Sequence, residues 1–251
     1  MSINVEIDAD GVAQVILNEP PVNAVSSAAM REIARSFEAL GADDRVRVVV
    51  LSGSGRGFCA GVDVRDLVSA PDAIVQVNRQ AFDSYEAIHH CPVPVIAAVH
   101  GYALGGGLAM VGACDMVLAA YGTKFGLPEI DRAMLGGASH ALRMLPMFCI
   151  RQAYFTGEPV LAEEAYRLGG LNGVYPLEEL MPAALRLAKK IATKNATVVR
   201  FAKEALNNIE PVDLEKNYRY EQGFTFEVSY LPDAAEARQA FLEKRAPRFT
   251  R

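Results

Sequence analysis

The chain is short of cysteine, of long apolar runs and of excess positive charge, and each shortage removes a class of function. Its cysteines are Cys59, Cys91, Cys114 and Cys149, and none stands in the C-x-x-C spacing of a redox motif or a zinc site. Thiols scattered this way in a chain of 251 residues imply buried free cysteines in a reducing compartment, so the cytoplasm is the expected location. The formal charge is −5, and no dense Lys/Arg stripe is present, which argues against a nucleic-acid partner. The longest apolar runs, around 93–99 and 107–120, are broken by Gly or Asp and are too short to cross a bilayer. The opening "MSINVEIDADG" has neither the basic nor the apolar region of a signal peptide. No membrane partner is expected.

What is present suits a globular enzyme-sized core. Apolar residues make up 51% of the chain, ordinary for a protein that buries a full interior. "INVEID" and "VAQVILN" alternate as two short strands joined at Asp8–Gly11. From Ser26 or Ser27, "SAAMREIARSFEAL" spaces its apolar residues as a helix behind a serine N-cap. "VRVVVLSG" (46–53) and "VIAAVHG" read as strands buried on both faces. A long helix over 72–90 lies between them, and "DMVLAAYG" is a third buried strand. From about Gly136 onward helical patterns dominate, over 138–146, 150–155, 161–168, 179–193, 196–209, 213–227 and 234–244. Alternating β and α followed by helices predicts an α/β core with a helical appendage. The division expected is a core over 1–194 and a C-terminal helical region over 195–251.

Two glycine-rich segments, "GSGRGFCAGVD" (53–63) and "GYALGGGLAMVGACD" (101–115), each follow a buried strand. Both therefore sit at the carboxyl edge of the sheet, where open α/β folds bind ligands. The first does not match G-x-G-x-x-G and opens no apolar helix at once, which disfavours a dinucleotide site. Two turns whose glycines merely permit positive φ would be the bland account. The sharper one has both strand ends delivering a backbone N–H to one point, one of them at a helix N-terminus, as an oxyanion hole.

The segments "PPVNAVSSAAM", "GRGFCAGVDVRDL", "PVIAAVHGYALGGGLAMVGACDMVLAA", "KFGLPEI" and "AYRLGGLNGVYP" resemble, in order and spacing, the crotonase superfamily of enoyl-CoA hydratases and isomerases. The resemblance covers essentially the whole chain. It implies a crotonase-like spiral of ββα units with a C-terminal helical trimerisation region, assembling as a homotrimer or a dimer of trimers. It also implies an acyl-CoA substrate, with coenzyme A entering only as part of that substrate and no separate cofactor or metal. By motif position the oxyanion hole is the N–H of Val62 and the N–H of Gly106. Family members that hydrate a double bond carry two glutamates. One matches Ala109, which moves no proton, and the other matches Glu129, which is present. A carboxylate in an apolar cleft has the raised pKa that suits a base near neutrality.

A single base changes the expected reaction. Losing one positioned acid–base group costs about 10²–10⁴-fold, so simple hydration is disfavoured. One base suits a proton shuttled between two carbons, as in Δ3,Δ2-enoyl-CoA isomerases. It also suits water attacking a ketone with a thioester enolate as leaving group. "GLPEIDRAMLGGASHALRMLP" and "YRYEQGFTFEVS" are similar to crotonase-type hydrolases that open a steroid-derived ring, which favours retro-Claisen cleavage of a β-keto acyl-CoA. A hydratase, and a non-catalytic acyl-CoA-binding relative, are the remaining alternatives. Candidate substrate or CoA contacts are Ala60, Arg65, Lys244 and His140, the last replacing a glycine near the site. Asp115 and His100 read as structural turn residues, "HHC" (89–91) as no metal set, and the aromatics of 218–230 as packing over the acyl pocket or between subunits.

Overall fold

β-branched strands buried on both faces organise the molecule. The computed structural model describes residues 3–67 and 73–249. Strands β1 (Ile3–Ile7) and β2 (Val12–Leu17) pair antiparallel. Asp8 holds their turn by accepting from the N–H groups of Asp10 and Val12. Helix α1 (Ser27–Ala42) starts behind Ser26, whose hydroxyl accepts from Ala29 N–H, and leads to β3 (Val48–Gly53). A short α2 (Val64–Leu67) and the long α3 (Ala73–His89) precede β4 (Val95–Val99). Residue 72, the expected start of the long helix, lies outside the described residues. Then come β5 (Tyr102–Leu104), α4 (Gly106–Ala113), β6 (Met116–Ala120), β7 (Lys124–Gly126) and a 3₁₀ turn at Pro128–Arg132.

The remaining chain is less purely helical than its pattern suggests. After α5 (Ala138–Ala141) and α6 (Met147–Thr156) come β8 (Val160–Leu161), α7 (Ala162–Arg167) and β9 (Gly173–Tyr175). Helices α8 (Leu177–Ala192), α9 (Ala196–Ile209), α10 (Leu214–Ser229) and α11 (Pro232–Leu242) complete it. The main sheet runs β1-β2-β3-β4-β6-β9, and a small sheet runs β5-β7-β8. Two strands thus lie in a region that reads as helix, because pieces of two and three residues carry no measurable period. The helix expected over 138–146 stops at Ala141. The chain turns there so that Arg143 can donate to the carbonyls of Gly112 and Cys114 at the end of α4, groups a helix leaves unsatisfied.

Alternation along β3 and β4 divides the core in two. Val49, Leu51, Val95 and Ala97 face the larger cluster, with Phe37 of α1 and Ile88 of α3. Val48, Val50, Ile96 and Ala98 face the smaller one, with Leu180, Ala184 and Ala188 of α8. This leaves the carboxyl ends of the parallel strands free to carry loops. Helix α10 folds back against α3 and α5, so Tyr218 joins the larger cluster. All four cysteines are free thiols, with Cys149 alone partly exposed. Among the described residues no helix is long and apolar enough to cross a membrane.

Candidate active site

Three segments distant in sequence are stitched together at the strand ends. Asn23 Nδ2 donates to the carbonyls of Ser54 and Gly57, at 2.8 and 2.9 Å. Val25 donates to Gly61 O and accepts from Asp63 N–H. On the opposite side Phe58 donates to Tyr102 O, and Leu104 donates to Cys59 O. The Gly61 N–H meets Cys59 Sγ at 3.3 Å. These bonds use the neighbouring amides and leave the Val62 N–H without an acceptor among the described residues. Gly106 is the first residue of α4, where an N–H has no partner inside its own helix. The two free amides are close: a Cβ on Gly61 would lie 3.7 Å from the Gly106 nitrogen, and a Cβ on Gly106 3.5 Å from the Val62 nitrogen.

The triple glycine is explained by what crowds it. A Cβ on Gly107 would press on the Cys59 carbonyl, and one on Gly106 on the Tyr85 hydroxyl. At Gly105, where φ is +51°, a Cβ would collide with Oε1 of Glu129. That carboxylate comes from the 3₁₀ turn, which Pro128 opens at its first position with φ already fixed. Glu129 Oε2 is buried without a hydrogen-bond partner. Burial pushes the Glu129 pKa up to about 8, against smaller downward pulls from its own N–H and Arg132. A carboxyl group held this way exchanges a proton near neutral pH.

These groups line one cavity of about 390 Å³, within the range of about 300–1,000 Å³ usual for small-molecule sites. Its wall includes Ala60, Val62, Gly106, Ala109 and Glu129, with Arg65 at one edge. Backbone donors held ready for a developing oxyanion, beside apolar wall residues and a carboxyl group with one oxygen buried and unpartnered, suit thioester enolate chemistry.

The Enoyl-CoA hydratase/isomerase family matches residues 8–251 of the chain. The chain belongs to this family, the crotonases. Over 250 residues, 99% of this chain and 97% of the relative, it is 40% identical to the (7aS)-7a-methyl-1,5-dioxo-2,3,5,6,7,7a-hexahydro-1H-indene-carboxyl-CoA hydrolase of Rhodococcus jostii (strain RHA1). It is 41% identical to the Mycobacterium tuberculosis (strain ATCC 25618 / H37Rv) protein of the same name, over 93% of this chain and 96% of that one. The crystal structure of an enoyl-CoA hydratase from Mycobacterium avium subsp. paratuberculosis K-10 superposes with a TM-score of 0.88 at 27% identity, covering 100% of this chain and 99% of that one. The protein is thus a crotonase-fold enzyme that processes acyl-CoA.

Within the crotonase cavity the remaining candidates separate. Arg65 lines the wall but pairs with Asp63. Lys244 is exposed beyond the end of α11 and is not part of the wall, although Phe241, one turn earlier, is. His140 is buried at 1% exposure behind the cavity, with its ring centroid 5.2 Å from that of Tyr85 and 4.9 Å from that of Tyr218. Neither ring nitrogen has a partner, and burial holds its pKa down to about 3. His140 therefore reaches the cavity only through the two tyrosines. Asp115 accepts from Val95 N–H and Lys203 Nζ, and His100 meets Gly55 O at 3.0 Å, both structural contacts. The aromatics over 218–230 divide: Tyr218 is in the wall, while Tyr220, Phe224 and Tyr230 are exposed.

Among the wall residues that sequence reasoning missed are Asn78, Tyr85 and Arg132. Asn78 and Tyr85 lie seven residues apart on the buried face of α3, so a polar residue at an apolar position was their signal. Arg132 follows Glu129 by three, which is one turn of a 3₁₀ helix. That signal appears only once the turn is known to be 3₁₀.

Proposed function

We propose that the protein hydrolyses a carbon–carbon bond of a cyclic β-keto acyl-CoA, a retro-Claisen ring opening, with Glu129 as its only proton-transfer group. The observation that carries this reading is the pairing of Glu129 at the glycine turn with Ala109 elsewhere in the same wall. Two carboxylates would suit hydration; one suits activating water. The thioester oxygen is held by the N–H groups of Val62 and Gly106, and Glu129 takes a proton from water that attacks the ketone. The C–C bond breaks toward the thioester as its enolate, and Glu129 returns the proton to carbon. The substrate class follows from the relatives named as indene-carboxyl-CoA hydrolases, so the acyl group proposed is a bicyclic, steroid-derived ketone. Coenzyme A enters as part of the substrate, and no other cofactor is called for.

We further propose that the enzyme works as a homotrimer or dimer of trimers in the cytoplasm. Phe148 and Phe155 of α6 and Phe201 and Ile209 of α9 are exposed, and large aromatic and aliphatic side chains on a surface favour subunit contact. Light scattering after gel filtration reads the assembly.

The activity test follows product mass with a cyclic β-keto acyl-CoA in ¹⁸O-water. One water gained, with one ¹⁸O in a new carboxyl group, is expected, and crotonyl-CoA stays unhydrated. Rapid hydration of crotonyl-CoA would overturn the single-base argument. Conversion of a 3-enoyl-CoA to its 2-enoyl isomer, with no ring opening, would assign the isomerase reading instead.

A further inference from the structure

Arg132 is a cation in the cavity wall with donors left over. It stands one 3₁₀ turn beyond Glu129 and so lies along the same edge. Its Nη1 donates to Pro128 O at 3.1 Å, and its guanidinium lies 4.4 Å over the ring of Phe241. Its Nε is buried without an acceptor, and no carboxylate forms an ion pair with it among the described residues. The other cation in the wall, Arg65, is held by Asp63. The wall around Arg132 includes Met134, Leu135 and Phe241. The acidic group that Arg132 interacts with, Glu129, has its pKa pushed up to about 8 and so is mostly protonated near neutral pH, which leaves the guanidinium charge free to be offset by a ligand oxygen.

Water cleavage of a β-keto thioester develops negative charge at two oxygens. The thioester oxygen has the two backbone amides. The ketone oxygen becomes an oxyanion when hydroxide adds, and half of a carboxylate when the C–C bond breaks. Resting on the hydrolase reading above, we propose that the Arg132 guanidinium holds this second oxygen. The cavity is thereby selective for acyl-CoA thioesters that carry a ketone or carboxylate further along the acyl group. Glu129 takes one proton from water, and the hydroxide oxygen bonds to the ketone carbon. The electron pair of the broken C–C bond goes to the thioester α-carbon, which receives the proton from Glu129. The new acid releases its own proton to solvent and leaves as a carboxylate against Arg132. The planar fork of arginine suits a carboxylate better than the ammonium of lysine does.

Calorimetric binding tests this without turnover. The dicarboxylic thioesters from succinyl-CoA to pimeloyl-CoA are each compared with the uncharged acyl-CoA of equal chain length. The wild-type enzyme is expected to prefer the carboxylate form at one length at least by about tenfold, the size of one charge-assisted hydrogen bond. Arg132→Gln removes the preference and keeps the affinity for the uncharged thioester, and Arg132→Lys keeps part of the preference. No preference in the wild type at any length, or a preference that survives Arg132→Gln, overturns the proposal. Loss of uncharged thioester binding in both variants also overturns it, since Arg132 then only braces the wall against Phe241. Ring opening without a carboxylate preference sinks this inference alone. A preference without ring opening sinks the hydrolase reading and the ketone step, and leaves the carboxylate recognition standing.

Discussion

The Glu129 carboxylate occupies the space that a side chain on residue 105 would fill. The proposed base and the first glycine of the triplet are therefore one steric unit, although 24 positions separate them in the chain. Gly105→Ala adds a methyl group against Glu129 Oε1 at a backbone with φ +51°, a region L-residues rarely adopt. A displacement of about 1 Å at a reacting group costs about 10²-fold in rate. The variant is expected to lose kcat by that order while still binding free coenzyme A. Steady-state kinetics beside a CoA titration check it, and a kcat near wild type would show that Glu129 tolerates the shift.

As the proposed base, Glu129 is expected to set the pH dependence of activity. A base whose pKa stands at about 8 is mostly protonated at neutral pH. kcat/KM is therefore expected to rise with pH and level off near that value. Glu129→Gln lowers kcat by about 10²–10⁴-fold and removes the limb. A profile already flat from pH 6 upward would assign the base elsewhere.

The same group makes the fold pH-sensitive, in the direction opposite to that of a paired carboxylate. The unfolded chain ionises this carboxyl near the ordinary 4.5, while the folded protein keeps its proton to about 8. Between those values the folded state holds more protons, so stability falls as pH rises. In thermal melts from pH 5 to 8, wild type should lose Tm relative to Glu129→Gln. Parallel curves would show that the carboxyl is not desolvated in the folded state.

His140 works the other way on the acid side. Burial drops its pKa from the ordinary 6.5 to about 3, so below 6.5 the unfolded chain takes up a proton that the folded one does not. Stability then falls as pH falls. His140→Leu is expected to flatten part of the Tm loss between pH 7 and 5. It flattens only part, because His89 is pushed down to about 3 in the same way.

Ala109→Glu tests the one-carboxylate argument from the other side. Ala109 is in the cavity wall, so a glutamate there adds to Glu129 a second candidate proton-transfer carboxyl in the same cavity. The variant is expected to gain crotonyl-CoA hydration and to lose ring-opening rate, both read by product mass. Unchanged activity toward both substrates would show that residue 109 does not set the reaction.

How much of this was legible in the sequence differs residue by residue. β3 and β4 were readable because a run of β-branched residues has one stable solution, a strand covered on both faces. The glycine segments and Glu129 were readable because their spacing matches a family pattern. The strand at Gly173–Tyr175 was not, since three residues have no period and join the sheet only because β6 offers an open edge there. His140 looked like a site residue, yet it packs behind Tyr85 and Tyr218.

The sequence by itself determined the family, the two-faced strands and the absence of a second glutamate at residue 109, because each is written in local composition or spacing. Tertiary structure alone decided that the amides of Val62 and Gly106 meet, that Glu129 fills the void of Gly105 and that Arg132 keeps donors unspent in the wall. Those relations depend on hydrogen bonds and contacts between segments far apart in the chain, and no local pattern encodes the distance at which such segments come to rest.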